Sequence, residues 1–88
     1  MRARAVLAGR VQGVGFRFFA EEWAEKLGVG GFARNLPDGR LELVAEGPEP
    51  AVRTFLEAMR QGPSSAVVRS LDVQWEEPVG ERTFRIRF

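Results

Sequence analysis

The chain has 88 residues, which is enough for one compact domain over residues 1–88 and too few for two. A net charge of +1 and 44% hydrophobic residues predict an ordinary globular core, and they argue against a dedicated nucleic-acid binder, which usually carries a strong basic excess. No stretch approaches the ~20 apolar residues of a membrane span, and the N-terminus lacks a secretory signal. We therefore expect a cytoplasmic protein without nucleic-acid or membrane partners.

Histidine and cysteine are both absent from the chain. Their absence excludes the usual general base near neutral pH, the Ser-His and Cys-His nucleophile pairs, disulfides and the commonest zinc ligands. Twelve of the 13 basic residues are arginine, whose planar fork suits phosphate, although genome composition or thermal adaptation explains the same bias. An enzyme of this composition has to work with arginine, amides, main-chain N–H groups and carboxylates, and we expect neither a metal nor a cofactor.

The first half of the chain contains a strand, a loop, a helix and a hairpin. Ala3–Arg10 alternates loosely and predicts a strand, and residues 11–15 form a glycine-punctuated loop. The apolar stripe of a helix follows in Phe16, Ala20, Trp23, Ala24 and Leu27, whereas Glu21, Glu22 and Glu25 form a solvated face. Residues 29–36 and 40–46 then predict two strands, joined by the Pro-Asp-Gly turn at 37–39.

The second half of the chain predicts one helix and two further strands. Pro50 lies near the first turn of the helix, whose buried stripe is Val52, Phe55, Leu56 and Met59. In the strand after it, Val67 alternates in phase with Leu71 and Val73. In the final segment, Phe84, Ile86 and Phe88 alternate as core residues. This patterning shows no exposed apolar patch, so we expect a monomer.

The element order is therefore β-α-β-β-α-β with a short C-terminal strand. That order predicts an α+β, ferredoxin-like sandwich, in which two helices cover one face of a mostly antiparallel sheet. Domains of this fold bind RNA, metals, amino acids and proteins, and some are enzymes. The function therefore has to be inferred from particular sites.

The loop before the first helix is the first candidate site. Gly13 and Gly15 allow a tight turn that points successive N–H groups toward one place, next to the free N–H groups of the helix N-terminus. Arg17 starts the helix, where its guanidinium is able to cover an anion held by the loop. A bare Gly-x-Gly is equally typical of a structural βα turn. The loop lacks the Gly-Lys-Ser/Thr ending of a Walker loop and the third glycine of a dinucleotide fingerprint.

Asn35 is the second candidate, near the end of the second strand. Alternation places it on the same face as Ala33, and its side-chain amide offers both a donor and an acceptor. The alternative interpretation is that Asn35 and Asp38 only shape the hairpin turn, as these residue types often do. We favour that alternative for Asp38 and leave it open for Asn35.

These two segments together resemble the two signatures of the acylphosphatase family. Residues 9–17 (GRVQGVGFR) resemble the first signature, and residues 31–42 (GFARNLPDGRLE), followed by Gly47, resemble the second. The spacing, chain length and element order agree as well, so the resemblance extends over essentially the whole chain.

The resemblance implies hydrolysis of the carboxyl–phosphate bond of acyl phosphates, giving a carboxylate and inorganic phosphate. Asn35 would orient the attacking water. The substrate phosphate would be bound by the loop residues Gln12, Gly13, Val14, Gly15 and Phe16 together with Arg17. A carboxylate leaves without protonation and phosphoryl transfer mainly needs positioning and charge stabilisation, so a chain without histidine suffices. The water's proton would pass to the substrate's own phosphate.

Three alternatives remain at this point. The chain is an acylphosphatase-like domain of a larger maturation protein that handles carbamoyl phosphate, although a start at Met1 and a closing strand favour a free-standing enzyme. The second alternative is a catalytically silent interaction domain. The third alternative is a ligand- or RNA-binding module, whose basic sheet face would consist of Arg2, Arg4, Arg10, Arg85 and Arg87.

Overall fold

A computed structural model describes all residues, 1–88, as two helices packed on one sheet. The elements are β1 (Arg2–Arg10), α1 (Phe16–Leu27), β2 (Gly30–Asn35), β3 (Leu41–Glu46), α2 (Glu49–Gln61), β4 (Val67–Glu76) and β5 (Phe84–Arg87). The predicted element order is confirmed, and the helix bounds agree with the apolar stripes. Gly28 and Gly62 cap the C-termini of α1 and α2. No helix is long and apolar enough to cross a membrane.

The sheet has the strand order β4-β1-β3-β2-β5. β1 lies between β3 and β4, β3 also pairs with β2, and these three pairings are antiparallel. Only β5 is parallel to its neighbour, β2. The ferredoxin-like α+β prediction is therefore confirmed, with the short C-terminal strand added at the β2 edge. This topology brings the end of β1, the end of β2 and the start of α1 to the same end of the sheet.

The hydrophobic core lies between the helices and one face of the sheet. Its sheet side consists of small and medium apolar residues from the central strands: Ala3, Ala5, Leu7, Ala33, Leu41, Leu43 and Ala45. Phe16, Ala20 and Ala24 of α1 and Phe55 and Met59 of α2 fill the helix side. Phe16 and Phe55 are fully buried, and burial of an aromatic side chain stabilises the fold by about 1.5–3 kcal/mol. Phe16 therefore fixes the N-terminus of α1 against the sheet.

Arginine and glutamate side chains cover the other face of the sheet. The ion pairs join Arg2, Arg4 and Arg34 to Glu42, Glu46, Glu76 and Glu81. The Arg2 guanidinium is buried and lies 3.0 Å from Glu46 and 2.9 Å from Glu81. The carboxylates pair with Arg2 and Arg4, two of the five arginines in the basic face that the RNA-binding alternative requires.

Two assignments made from alternation are wrong. The register of β1 and β4 shifts opposite Gly9, and this irregularity makes Val68, rather than Val67, pack against the core. Strict alternation cannot anticipate an inserted residue. Phe88, expected in the core with Phe84, lies beyond the end of β5 and is 96% exposed. Phe88 has no partner in the sheet, since the pairing of β5 with β2 ends at Arg87.

The surface carries more apolar residues than the patterning indicated. Five large apolar side chains are exposed, namely Phe18, Val67, Trp75, Val79 and Phe88. Trp75 is partly covered by the guanidinium of Arg53, which lies 5.2 Å from the ring centroid. Single exposed apolar residues are normal on a soluble domain, so only those beside a site call for an explanation. Phe18 and Phe88 are of that kind.

Candidate functional site

The loop between β1 and α1 adopts a conformation that requires its glycines. Gly13 has φ 72° and Gly15 has φ 75°, both in the left-handed region. A side chain at either position would be strained, and two left-handed residues so close together bend the chain tightly. Gly15 is also the N-cap of α1, and no side chain caps that end of the helix. The N-terminus of α1 is therefore left open to a ligand.

The first turn of α1 offers unpaired main-chain donors. The first helical hydrogen bond runs from the Phe19 N–H to the Gly15 oxygen, at 3.0 Å. The N–H groups of Phe16, Arg17 and Phe18 precede it and have no acceptor in the helix. Together with the positive end of the helix dipole, these groups form a site for an anion. The left-handed glycines and the uncapped helix N-terminus that the prediction requires are present, and the binding of an anion there stays a prediction.

A small cavity lies at this helix N-terminus. It has a volume of about 90 Å³ and is lined by Val11, Gly13, Gly15, Phe16, Arg17, Phe18 and Asn35. Both of the predicted functional side chains, Arg17 and Asn35, therefore line one cavity although β2 and α1 are separate elements. No carboxylate lines it, so the charge in the cavity is positive. Its size suits a small tetrahedral anion better than a drug-sized ligand, which needs at least ~300 Å³.

Arg17 is held from outside the loop by the last two residues of the chain. Its Nη1 donates a hydrogen bond to the main-chain oxygen of Arg87, at 3.0 Å. Its guanidinium carbon lies 4.7 Å from the centroid of the Phe88 ring, within the range of a cation–π contact. These contacts leave the remaining N–H groups of the guanidinium free for an anion, since a guanidinium carries five.

The side chain of Gln12 does not line the cavity, and it fastens the loop to the hairpin. Its Nε2 donates to the main-chain oxygens of Leu36, at 2.8 Å, and Arg40, at 2.9 Å. Leu36 directly follows Asn35, so this one amide links the anion loop to the strand end that carries Asn35. The Nε2 group of Gln12 is therefore occupied by the hairpin, and the phosphate-binding role of Gln12 stays a prediction.

Val14 also differs from the other predicted phosphate-binding residues. Its side chain packs against the core, and its main-chain oxygen accepts a hydrogen bond from Ser65 Oγ at 3.3 Å. Neither Gln12 nor Val14 lines the cavity, whereas Gly13, Gly15 and Phe16 do. Val14 therefore supports the loop from its far side.

Asp38 shapes the hairpin turn. Its Oδ1 accepts the Arg40 N–H at 3.0 Å, and its Oδ2 accepts from Arg40 Nε at 2.8 Å. The hydrogen bond from the Arg40 main chain, and then the Arg40 guanidinium, lower the pKa of the Asp38 carboxyl. The structural interpretation of Asp38 is confirmed. Asn35, half-buried and facing the cavity, is not part of that turn.

Two contributors to the site were absent from the sequence prediction. The contact of Arg17 with Arg87 and Phe88 joins residues about 70 positions apart, and no local pattern indicates it. Phe18 did carry a signal, because a large apolar residue off the helical stripe is expected to be exposed. It is 63% exposed at the rim of the cavity. Nowhere do three or more acidic side chains converge as metal ligands.

The fold and the site together define a small α+β domain with a positively charged anion cavity between its first strand and first helix. The sequence profile of the acylphosphatase family matches residues 3–86. The acylphosphatase of Thermus thermophilus is 51% identical over 85 residues, covering 97% of each chain. The acylphosphatase of Deinococcus radiodurans is 45% identical over 86 residues, covering 98% of this chain and 99% of that one.

Solved structures agree with these matches. The crystal structure of an acylphosphatase from Bacillus subtilis is similar with a TM-score of 0.94 and 39% identity, covering 99% of this chain and 98% of that one. A crystal structure of full-length HypF, with phosphate and nucleotide bound, contains a similar unit with a TM-score of 0.88 and 31% identity, over 12% of its own length. This chain belongs to the acylphosphatase family, whose reaction is the hydrolysis of acyl phosphates.

Proposed function

We propose that the chain hydrolyses acyl phosphates in the cavity at the N-terminus of α1, with Arg17 binding the transferred phosphoryl group. The observation that carries this proposal is the meeting of Arg17, Asn35 and the free N–H groups of the α1 N-terminus in one small cavity. The N–H groups of Phe16 to Phe18 bind the nonbridging phosphate oxygens. The guanidinium adds the only positive side chain in the lining, and donors fixed before the reaction stabilise the charge in the transition state.

Asn35 positions the water that attacks phosphorus. The amide oxygen accepts a hydrogen bond from the water, so this side chain fixes the nucleophile while Arg17 and the main-chain donors of α1 hold the phosphate. Gln12 keeps Asn35 in register with the loop through the Leu36 and Arg40 carbonyls. Positioning of this kind lowers the activation barrier, because the water and the phosphoryl group then react within one complex and need not meet in solution.

The hydrolysis needs no general base from the protein. The water oxygen forms a bond to phosphorus, and the bond from phosphorus to the carboxyl oxygen breaks. The bond's electron pair leaves with the carboxylate, a stable anion that needs no proton. A nonbridging phosphate oxygen accepts the water's proton, because no carboxylate or histidine lines the cavity. The products are a free carboxylate and inorganic phosphate, which also competes with substrate for the cavity.

The rival functions have less support. The acylphosphatases of Thermus thermophilus and Deinococcus radiodurans are 51% and 45% identical to this chain, whereas the matching unit of HypF is 31% identical. This difference supports an acylphosphatase over a domain that handles carbamoyl phosphate. The ion pairs of Arg2 and Arg4 speak against an RNA-binding sheet. The single domain, the cytoplasmic location, the monomeric state and the absence of nucleic-acid and membrane partners stay predictions from the sequence.

A substrate comparison tests the proposal. Purified protein is assayed with acetyl phosphate, benzoyl phosphate and p-nitrophenyl phosphate, each with and without a metal chelator. We expect rapid release of phosphate from both acyl phosphates and little from the phenyl ester, since a phenolate is a poorer leaving group than a carboxylate. The chelator is expected to change none of these rates. Equal hydrolysis of the phenyl ester, or loss of activity with the chelator, would contradict the proposal.

A further inference from the structure

Phe18 is an exposed aromatic residue at the rim of the proposed catalytic cavity. Its side chain is 63% exposed, and it makes none of the aromatic pairs that hold its neighbours. Phe19, by contrast, contacts both Phe16 and Trp23, with ring centroids 5.7 Å and 6.5 Å apart. An unpartnered ring costs free energy in water and gains it when an apolar group covers it. The position of Phe18 makes the substrate itself a candidate for that cover.

A second, larger depression lies next to the cavity. Its volume is about 450 Å³, and its lining is Gly15, Phe18, Phe19, Glu21, Glu22 and Glu25. We call it the α1 groove. It shares Gly15 and Phe18 with the cavity, and it includes neither Arg17 nor Asn35. The two spaces therefore adjoin at Gly15 and Phe18.

The geometry of the reaction relates this groove to the leaving group. In an in-line displacement the attacking water and the departing oxygen lie on opposite sides of phosphorus. The water belongs beside Asn35, so the carboxyl oxygen and the rest of the acyl group extend away from Asn35. The α1 groove adjoins the cavity at Gly15 and Phe18, and Asn35 does not line it. The acyl group then packs against the Phe18 ring.

The charge of the groove limits which acyl groups fit. Glu21, Glu22 and Glu25 line it, no basic residue does, and none of the three takes part in an ion pair. The groove is therefore uniformly negative beside a positive phosphate cavity. An acyl group that carries a second carboxylate would be repelled over distances of about one Debye length, ~10 Å at 0.1 M salt.

We propose that the α1 groove is the acyl subsite and selects uncharged aromatic or apolar acyl phosphates over those whose acyl group is anionic. The contact with Phe18 provides the preference for a ring, and the three glutamates provide the rejection of a negative tail. This inference rests on the proposed function, because it needs phosphate in the adjoining cavity.

The apolar part is tested with Phe18→Ala. The measured quantity is the ratio of kcat/KM for benzoyl phosphate to that for acetyl phosphate, which cancels any effect of the substitution on the phosphate cavity. We expect the ratio to fall roughly five- to tenfold, in line with the loss of one apolar contact. Phe18→Leu should give a smaller fall. Val79→Ala is the matched control: Val79 is 68% exposed in the β4–β5 turn, at the end of the sheet opposite the cavity, and the ratio should not change.

The charged part is tested separately with succinyl phosphate. We expect Glu22→Gln to raise kcat/KM for succinyl phosphate relative to acetyl phosphate by about two- to threefold at low salt, an effect that added salt reduces. Glu57→Gln, on the exposed face of α2, is the matched control and should leave this ratio unchanged.

The outcomes separate the two proposals. If the parent protein hydrolyses no acyl phosphate, the proposed function fails. If it does, and a folded Phe18→Ala protein keeps the parental ratio of benzoyl to acetyl phosphate, the acyl subsite is overturned. Succinyl phosphate that reacts as well as acetyl phosphate at low salt, with no effect of Glu22→Gln, would overturn the charge selection. Should Phe18→Ala not fold, the same ratio in Phe18→Leu decides the apolar part.

Discussion

The guanidinium of Arg17 donates a hydrogen bond to the main-chain oxygen of Arg87 and lies against the ring of Phe88. The residue proposed to bind phosphate is therefore oriented by Arg87 and Phe88, not by the loop proposed to surround the phosphate. β5 pairs in parallel with β2, the strand that ends in Asn35, so the same edge of the sheet supports both functional side chains. A change at the C-terminus should consequently be felt in phosphate binding.

Phe88→Ala should weaken phosphate binding without unfolding the protein. The ring is 96% exposed and contributes little to the core, but it restricts the Arg17 guanidinium. A cation–π contact at an exposed site is worth about 0.5–1 kcal/mol, which corresponds to an increase of roughly two- to fivefold in the inhibition constant of inorganic phosphate. Phe88→Tyr retains the ring and should behave like the parent. If the role of Phe88 were purely structural, Phe88→Ala would lower Tm and leave the inhibition constant of phosphate unchanged.

Gln12→Ala should reduce turnover more than phosphate affinity. The two carbonyls that lose the Gln12 donor still accept main-chain N–H groups within the hairpin, so the cost in stability is about 1–2 kcal/mol. The link between the loop and the Asn35 strand is lost, and kcat falls because the water is less well placed. The checks are kcat, the inhibition constant of phosphate and Tm. If phosphate affinity dropped far more than kcat, the Gln12 side chain would have to contact the anion directly.

Much of this architecture could be predicted from the sequence, because periodicity reports which side chains face the core. The apolar stripe from Phe16 to Leu27 predicted the first helix, and the turn at residues 37–39 predicted the hairpin. The two signatures indicated Arg17 and Asn35 as candidate site residues. Alternation failed at Val67, where the β1–β4 register shifts, and at Phe88, which extends past the last strand pair. Both failures depend on pairing between distant segments.

The side-chain contacts of the site could not be predicted for a related reason. Gln12 lies within a signature, but the sequence cannot show that its amide reaches two carbonyls in a hairpin 24 and 28 residues away. Arg17 likewise gives no local indication that the C-terminus holds it. Residue identity indicates the chemistry available, while the tertiary fold decides which group each donor reaches.

The Arg2–Glu46 pair should make stability depend on pH. Burial alone would raise the pKa of Glu46, but hydrogen bonds from the Val79 N–H, from Arg2 and from the Gly80 N–H outweigh it and lower the pKa below its ordinary value. A lowered pKa in the folded state adds stability above the unfolded pKa of about 4.3, and that stability is lost as pH falls through the folded value. Glu46→Gln should reduce stability at neutral pH.

Thermal unfolding measured from neutral pH to about pH 3 checks this prediction. Removing one partner of a buried ion pair costs about 3 kcal/mol, which for a domain of this size lowers Tm by roughly 10 °C or more. The Glu46→Gln protein should also lose less stability than the parent as the pH falls. Glu49→Gln, which breaks only the exposed pair with Arg53, is the control and should change Tm by little. Parallel pH curves for the parent and Glu46→Gln would contradict the role of Glu46.

Asn35→Ala should lower kcat roughly 10²-fold while the affinity for inorganic phosphate stays close to that of the parent. The phosphate keeps Arg17 and the main-chain donors of α1, whereas the water loses the group that aligns it. Circular dichroism confirms that the variant is folded. A large loss of phosphate affinity in the folded variant would assign Asn35 to phosphate binding instead.

The most direct measurement is the effect of Arg17→Ala on benzoyl phosphate hydrolysis and on inhibition by inorganic phosphate. Arg17 supplies the only positive side chain in the cavity, so we expect the rate to fall on the order of 10²–10³-fold and inhibition by phosphate to be largely lost. A folded Arg17→Ala protein that hydrolyses benzoyl phosphate at near the parental rate, with phosphate inhibition intact, would contradict the assignment of this cavity as the active site.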